Sequence, residues 1–160
     1  MKLDREHAWR TILSWYEVPG AAQALLREQE ERGLDVVLHL FLRYARTELG
    51  LALGREDEEQ AKRLMSPWRD QVISRVRAIR RELKTMPGLE AIDDSRHDWR
   101  EQLKVMEVKA ERVQFMSLCA WLEGRPAMVA AAPRARLDAE RLGEGSSQRG
   151  SRRVGDEGER

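Results

Sequence analysis

The chain has 160 residues and one cysteine, and its 29 lysines and arginines nearly balance its 28 aspartates and glutamates, which leaves a formal net charge of +1. This length suffices for one domain with a single core. A lone cysteine excludes a disulfide within the chain. The balanced charge excludes an overall electrostatic field that would attract nucleic acid or membrane surfaces. The longest apolar run is far shorter than the ~20 residues that span a bilayer. No signal-peptide pattern follows Met1, so the sequence predicts a cytoplasmic protein without a membrane segment.

The first two predicted helices flank a proline–glycine break. Apolar residues recur at the i, i+3, i+4, i+7 spacing of one helix face, which predicts a helix over residues 4–17. Pro19 ends this helix, because the residue before a proline is pushed out of helical conformation. A second helix is predicted over residues 21–32, with Gly33 just beyond its C-terminus.

The densest apolar stretch follows Gly33. Only Asp35 and His39 are polar within residues 34–42, and Asp35 stands where an N-cap residue accepts backbone hydrogen bonds. The sequence predicts a helix over residues 36–49 that is apolar around most of its circumference. Such a helix lies at the centre of a bundle, and we therefore expect His39 to be buried with one hydrogen bond.

The second half of the chain predicts a long helical hairpin. Ser66 and Pro67 are favourable first residues for a helix over residues 67–84, and Asp94 or Ser95 caps a last long helix. An apolar heptad seam is predicted along that last helix: Trp99, Leu103, Met106, Ala110, Val113, Ser117 and Ala120. The predicted fold class is all-α, a bundle of three shorter N-terminal helices plus a long antiparallel helical hairpin.

The composition changes near residue 123. Beyond this point the chain is rich in Gly, Ser, Arg and Glu and poor in bulky apolar residues. Such a segment cannot bury enough apolar surface to offset the entropy of ordering it. The sequence predicts a single helical domain over residues 1–122 and a disordered tail over residues 123–160.

Several short patterns occur in order along residues 8–122. They are Trp9, Tyr16, Pro19-Gly20, the Gly33-Leu34-Asp35-Val36 helix start, Leu40-Phe41, Trp68, the run Arg77-x-x-Arg80-Arg81-x-Leu83-Lys84 and the Glu107/Glu111 spacing. In these features the chain resembles a family of small all-helical bacterial proteins, mostly gammaproteobacterial conserved hypothetical proteins that share a domain of unknown function. The resemblance implies the helical fold but no activity, cofactor or substrate. At positions 37 and 39, where the family often has Asn and Leu, this chain has Val and His.

No residue pattern indicates a metal or cofactor site. The carboxylate–histidine pairs at helical spacing are Asp4 with His7 and Asp94 with His97. A di-metal bundle needs Glu-x-x-His on two helices, and that motif does not occur. Cys119 lies among apolar residues, where a thiol is more often inert than nucleophilic. We therefore expect no metal, no cofactor and no catalytic residue.

One carboxylate pair leaves an enzymatic role open. Glu107 and Glu111 are four residues apart on the last helix and can project from one face. If both were buried, one carboxyl group would have a raised pKa and could act as a general acid. The alternative is a solvated helix face, since Lys104 and Arg112 flank the pair.

A basic strip is the candidate for a nucleic-acid contact. Arg77, Arg80, Arg81 and Lys84 recur at i, i+3, i+4, i+7, opposite the predicted apolar stripe of their helix. Such a strip could contact the phosphates of RNA or of a ribosome. The alternative is that these cations pair with acidic residues of the last helix and set the register of the hairpin. We expect partial pairing, with Arg77 or Arg80 the side chain that stays free.

Trp15 is the remaining candidate for contact with a partner. It lies off the apolar stripe of the first helix, where an exposed tryptophan would anchor another protein, although a wider core would bury it equally well. Together these features favour a non-catalytic protein-binding or adaptor module. An RNA- or ribosome-associated protein that uses the helix over residues 67–84, and an enzyme that uses the carboxylate pair, are the alternatives.

Overall fold

The computed structural model describes residues 1–88 and 90–125. Its α-helices are α1 (Arg5–Tyr16), α2 (Ala21–Arg32), α3 (Val36–Thr47), α4 (Arg55–Trp68), α5 (Ser74–Thr85) and α6 (Asp93–Glu123). A π-helical turn, Arg69–Ile73, joins α4 to α5, and a 3-10 turn, Glu90–Ile92, precedes α6. The predicted all-α fold is confirmed, with α4 and α5 as one arm of the hairpin and α6 as the other.

Helix α3 lies at the centre of the bundle, as predicted. The Asp35 carboxylate caps its N-terminus and accepts a hydrogen bond from the Leu38 N–H at 3.0 Å. Most of its residues are buried: Val37, Leu38, Leu40, Phe41, Leu42, Tyr44 and Ala45. The fully buried Phe41 ring packs against Phe115 of α6, with 5.8 Å between ring centroids. This aromatic contact joins the central helix to the hairpin.

His39 is exposed, so the expectation of a buried histidine was wrong. Arg43 and Arg46, which follow it at four and seven residues, are exposed as well. Residues with this spacing share one side of a helix. Helix α3 therefore keeps a narrow polar stripe that faces solvent, and His39 belongs to it.

The apolar seam predicted along α6 is mostly misplaced, since Ala110 is its one buried member. The side of α6 that packs on the other helices contains Glu107, Ala110, Gln114, Phe115, Leu118, Cys119 and Leu122. Trp99, Met106 and Val113 of the predicted seam face solvent instead, and 62%, 53% and 47% of their surfaces are exposed. The seam was misplaced because the polar Glu107 and Gln114 are buried, where they bond to partners from other helices.

Pro67 does not begin a new helix, contrary to the sequence-based prediction. Helix α4 runs through it to Trp68. Because proline has no N–H, the carbonyl oxygen of Arg63 loses the donor that a regular helix provides. The Ser66 hydroxyl donates a hydrogen bond to that oxygen at 3.3 Å.

The π-helical turn after Pro67 changes which side of α5 faces inward. Its backbone bond joins the Ser74 N–H to the carbonyl oxygen of Arg69, five residues earlier. The wider turn shifts the positions that follow it around the helix relative to a regular α-helix. As a result Ile73 is buried, and Arg77 faces α6.

The end of α6 packs against two other parts of the domain. Glu123 binds Arg5 at 2.5 Å, and Arg125 binds Asp57 of α4. These last described residues therefore belong to the folded domain and not to the predicted tail. The rest of that predicted tail, residues 126–160, lies outside the described residues.

Candidate binding cleft

Two arginines of α5 bind two glutamates of α6. Arg77 Nε donates to Glu107 Oε1 at 2.6 Å, and Arg77 Nη2 donates to Glu111 Oε1 at 3.0 Å. Arg80 Nε donates to Glu107 Oε2 at 2.8 Å. The expectation that Arg77 or Arg80 stays free was wrong, because the π-helical turn directs both side chains toward α6. We call these four residues the ion-pair network.

The two carboxyl groups of the network differ in pKa. Burial by itself raises the pKa of Glu107, but hydrogen bonds from Arg80 and Arg77 outweigh this effect and hold the pKa below its ordinary value. Burial raises the pKa of Glu111 to about 6, against the attraction of Arg77, and the charge of Glu107 adds to the rise. Glu111 is therefore the carboxyl group of the network that titrates closest to neutral pH.

The other two cations of the basic strip lie outside the network. Arg81 binds Glu30 of α2 at 3.1 Å, and both side chains are more than half exposed. Lys84 is exposed and forms no ion pair within the described part of the chain. The four cations thus do not form one continuous basic face, because two of them point into the helix–helix interface.

Two further hydrogen bonds fix the hairpin to the rest of the bundle. Trp68 Nε1 donates to the carbonyl oxygen of Ala110 at 2.9 Å, which ties α4 to α6. Gln114 Nε2 donates to Asp35 Oδ2 at 2.7 Å, which ties α6 to the start of α3. Gln114 is 1% exposed, and breaking this bond would leave a buried amide without its partner. The ion-pair network is therefore held on a rigid support.

A cleft of about 500 Å³ opens between α1 and α2 on one side and the hairpin on the other. Its walls are mainly apolar and include Trp9, Ile12, Leu13, Leu26, Leu40 and Val108. The ion-pair network lines the same cleft, together with Lys104. An apolar cavity of this size with a few converging polar groups is the usual form of a binding site.

Helix α2 is the loosely packed wall of this cleft. It contains no buried residue and packs on α1 and α3. Gly20 and Gly33 at its two ends adopt positive φ angles of 84° and 67°, a conformation that glycine adopts at little cost. The exposed ion pair between Glu30 and Arg81 links it to the hairpin. Because a helix with few buried contacts opens at a low free-energy cost, α2 is the wall of the cleft that is held least firmly.

Trp15 lies outside the cleft on the other side of α1. It is half-buried, its ring lies 6.4 Å from the Tyr44 ring, and the Arg43 guanidinium lies 4.5 Å from its ring centre. Its neighbour Tyr16 lines the cleft.

The cleft could not be predicted from the sequence, because its rims come from three separate helices. The available signal was the apolar pair Leu13 and Leu26, each at the edge of its amphipathic helix.

The other candidate groups from the sequence do not converge on the cleft. Cys119 is fully buried, and burial raises the pKa of its thiol to about 12. In the part of the chain that the structure describes, no group of three or more His, Cys, Asp or Glu side chains is placed to hold a metal ion. No helix of that part is both long enough and apolar enough to cross a membrane.

Comparison with known proteins adds one relationship. A family described as a protein of unknown function, DUF2390, matches residues 7–118. The chain belongs to this family. The matched range includes the whole ion-pair network and every wall of the cleft, so the candidate site lies within the family's common domain. No curated protein and no solved structure matches the chain.

Proposed function

We propose that this member of the family is a non-catalytic protein-binding module, and that its cleft receives the apolar side chains of a partner helix. The observation that carries the proposal is the open apolar cleft of about 500 Å³. Leu13 and Leu26 on one rim and Val108 on the other are 36%, 43% and 50% exposed. Covering them would remove apolar surface from water, which is the main source of free energy in protein association.

The geometry suits the insertion of a helix into a groove. A partner helix in such a groove places side chains at i, i+3, i+4 and i+7 against apolar walls. The ion-pair network supplies polar groups at fixed positions beside those walls. Within the described residues Arg80 donates a hydrogen bond only through Nε, so its two terminal nitrogens remain for a carboxylate or carbonyl group of the partner.

RNA contact through the basic strip has less support. Arg77, Arg80 and Arg81 each bind a carboxylate of this chain, which reduces the positive charge that the strip offers to phosphates. Nucleic-acid binding depends on neutralising phosphates and falls steeply with added salt. Partner binding through apolar contacts should depend only weakly on salt, and this difference separates the two functions.

One observation favours the enzymatic alternative. A carboxyl group with a pKa of about 6, such as that of Glu111, is matched to proton transfer near neutral pH. However, Arg77 Nη2 donates to this carboxylate at 3.0 Å, so its deprotonated form has a structural partner. We therefore assign Glu111 a structural role, as the partner of Arg77 in the wall of the cleft.

The experiment compares two variants of the cleft with a matched surface variant. Leu26→Arg and Val108→Arg place a charge on opposite rims of the cleft. Leu64→Arg places the same charge on α4, at a side chain of similar exposure, 47%. Each purified protein is immobilised and exposed to nuclease-treated lysate of the native host. We expect the wild type and Leu64→Arg to retain the same protein, and both cleft variants to lose it.

Two outcomes would contradict the proposal. One is equal retention by all four proteins, which would place the binding surface elsewhere. The other is retention from untreated lysate that is lost after nuclease treatment and at moderate salt, which would indicate RNA contact. Circular dichroism of each variant checks that the helices are intact, since all three substituted side chains are at least 43% exposed.

A further inference from the structure

Four large apolar side chains lie along the solvent side of α6. They are Trp99, Val105, Met106 and Val113, with 62%, 54%, 53% and 47% of their surfaces exposed. Trp99, Met106 and Val113 are spaced by seven residues, which keeps them nearly in line along the helix. This stripe, which we call the outer stripe, lies on the side of α6 away from the buried Gln114 and Leu118. Clustered apolar exposure of this kind marks an interaction surface.

Charged side chains beside the outer stripe are separated by sign along the helix. Asp98 lies near the start of the outer stripe, and Lys109 lies eleven residues later. Eleven residues make about three helical turns, so the two side chains project from nearly the same side of α6. Neither side chain forms an ion pair in the described part of the chain. Arg112 extends the basic half and binds Glu6 of α1 at 2.5 Å. The surface is thus acidic in one half and basic in the other.

We propose that the outer stripe binds the outer stripe of a second copy of this chain, with the two α6 helices antiparallel. A two-fold axis near Met106 places the acidic half of each helix against the basic half of the other. Asp98 then lies within about one and a half helical turns of Lys109 of the second copy. A parallel pair would place Asp98 against Asp98 and Lys109 against Lys109, which is repulsive.

The self-complementary pattern favours a second copy as the occupant. A two-fold interface uses the same patch on both subunits, so each patch must carry both members of every complementary pair. The outer stripe and the charges beside it meet this condition. The stripe has its apolar centre at Val105 and Met106, and Asp98 and Lys109 beside it form no ion pair within the described residues. This inference is independent of the proposed function, since Leu13 and Leu26 of the cleft lie on α1 and α2. Val108 of the cleft lies on α6 as well, but two residues from Met106 place it on nearly the opposite side of the helix.

The first test is oxidative cross-linking combined with sedimentation. Met106→Cys should form a disulfide-linked dimer, because the axis brings this position close to its own copy. A mixture of Trp99→Cys and Val113→Cys, distinguished by tags of different mass, should form the mixed dimer. Ile79→Cys on α5, a site 48% exposed, is the control and should form none. The native Cys119 is fully buried and does not interfere.

The second test exchanges the charges. Lys109→Glu should raise the dimer dissociation constant about tenfold, because the two-fold axis makes each substitution act twice. The double variant Asp98→Lys with Lys109→Glu restores opposite signs across the interface and should recover the wild-type constant. A wild type that sediments as a monomer at every concentration, a Trp99→Cys protein that cross-links to itself, or a charge exchange without recovery would overturn the proposal.

Discussion

Arg77 Nε lies 2.6 Å from Glu107 Oε1, although the two side chains belong to opposite arms of the hairpin. The contact exists because the π-helical turn, Arg69–Ile73, shifts the inward face of α5. π-helical turns are rare and frequently occur at functional sites. Here the turn directs an arginine into the wall of an apolar cleft, where its charge is held by two carboxylates. The same contact therefore stabilises the hairpin and gives the cleft its polar groups.

Phe41→Ala should destabilise the protein by about 3–5 kcal/mol, as deletion of a large aromatic side chain from a core does. Phe41 is fully buried and contacts the rings of Phe115 and Trp121. Urea unfolding followed by circular dichroism measures the change. Ile79→Ala, at a site 48% exposed, should cost far less. A loss below about 1 kcal/mol for Phe41→Ala would show that α3 is not the centre of the core.

Arg77→Ala should cost about 3 kcal/mol of stability, because it leaves the partly buried Glu111 without its cation and Glu107 with Arg80 alone. The Arg77 and Glu107 side chains are 15% and 11% exposed. Arg81→Ala is the matched control on the same helix, where the pair with Glu30 is more than half exposed. Exposed pairs contribute about 0–1 kcal/mol. Equal effects of the two substitutions in urea unfolding would contradict the structural role of the network.

Glu111 should make the protein less stable as the pH rises through about 6. Its pKa is about 6 in the folded protein and near 4.5 when the chain is unfolded, so the folded state binds the proton more tightly. The resulting stabilisation, about 2 kcal/mol, is fully present below pH 4.5 and is lost above pH 6. The free energy of unfolding of the wild type, measured against that of Glu111→Gln, isolates this contribution.

Glu107→Gln is the control for the pH dependence and should show the opposite sign. Because the pKa of Glu107 is held below its ordinary value, the stabilisation from this group is present above that ordinary pKa. It is lost as the pH falls through the lower folded value. If Glu111→Gln left the pH dependence between 4.5 and 6 unchanged, the buried position of Glu111 would be wrong.

Cys119 should react with a thiol reagent only after the protein unfolds. The side chain is fully buried, and burial raises its pKa to about 12, so almost no thiolate is present near neutral pH. Ellman-type kinetics should show little reaction in buffer and complete reaction in denaturant. Rapid modification in buffer would mean that the end of α6 opens easily.

The N-terminal half of the fold could be predicted from the sequence, because neighbouring residues set the ends of its helices. Gly33 adopts a positive φ of 67° at the end of α2, and Asp35 caps α3 through the Leu38 N–H. Both are properties of a few neighbouring residues and need no tertiary contact. The apolar density of α3 likewise requires burial on several sides, so the central position of this helix follows from its own residues.

Contacts between helices determine which side chains form the site, and the apolar periodicity of a single helix does not show these contacts. Glu107 and Gln114 look like surface residues in the sequence, yet they are buried because Arg77, Arg80 and Asp35 reach them from other helices. Polarity alone therefore predicts Met106 inside and Glu107 outside, the reverse of the structure. A buried charge is stable only with a partner, and the partner is known only when the helices are packed. The π-helical turn is one residue wider than a regular helical turn, so that Ile73 is buried and Arg77 faces α6.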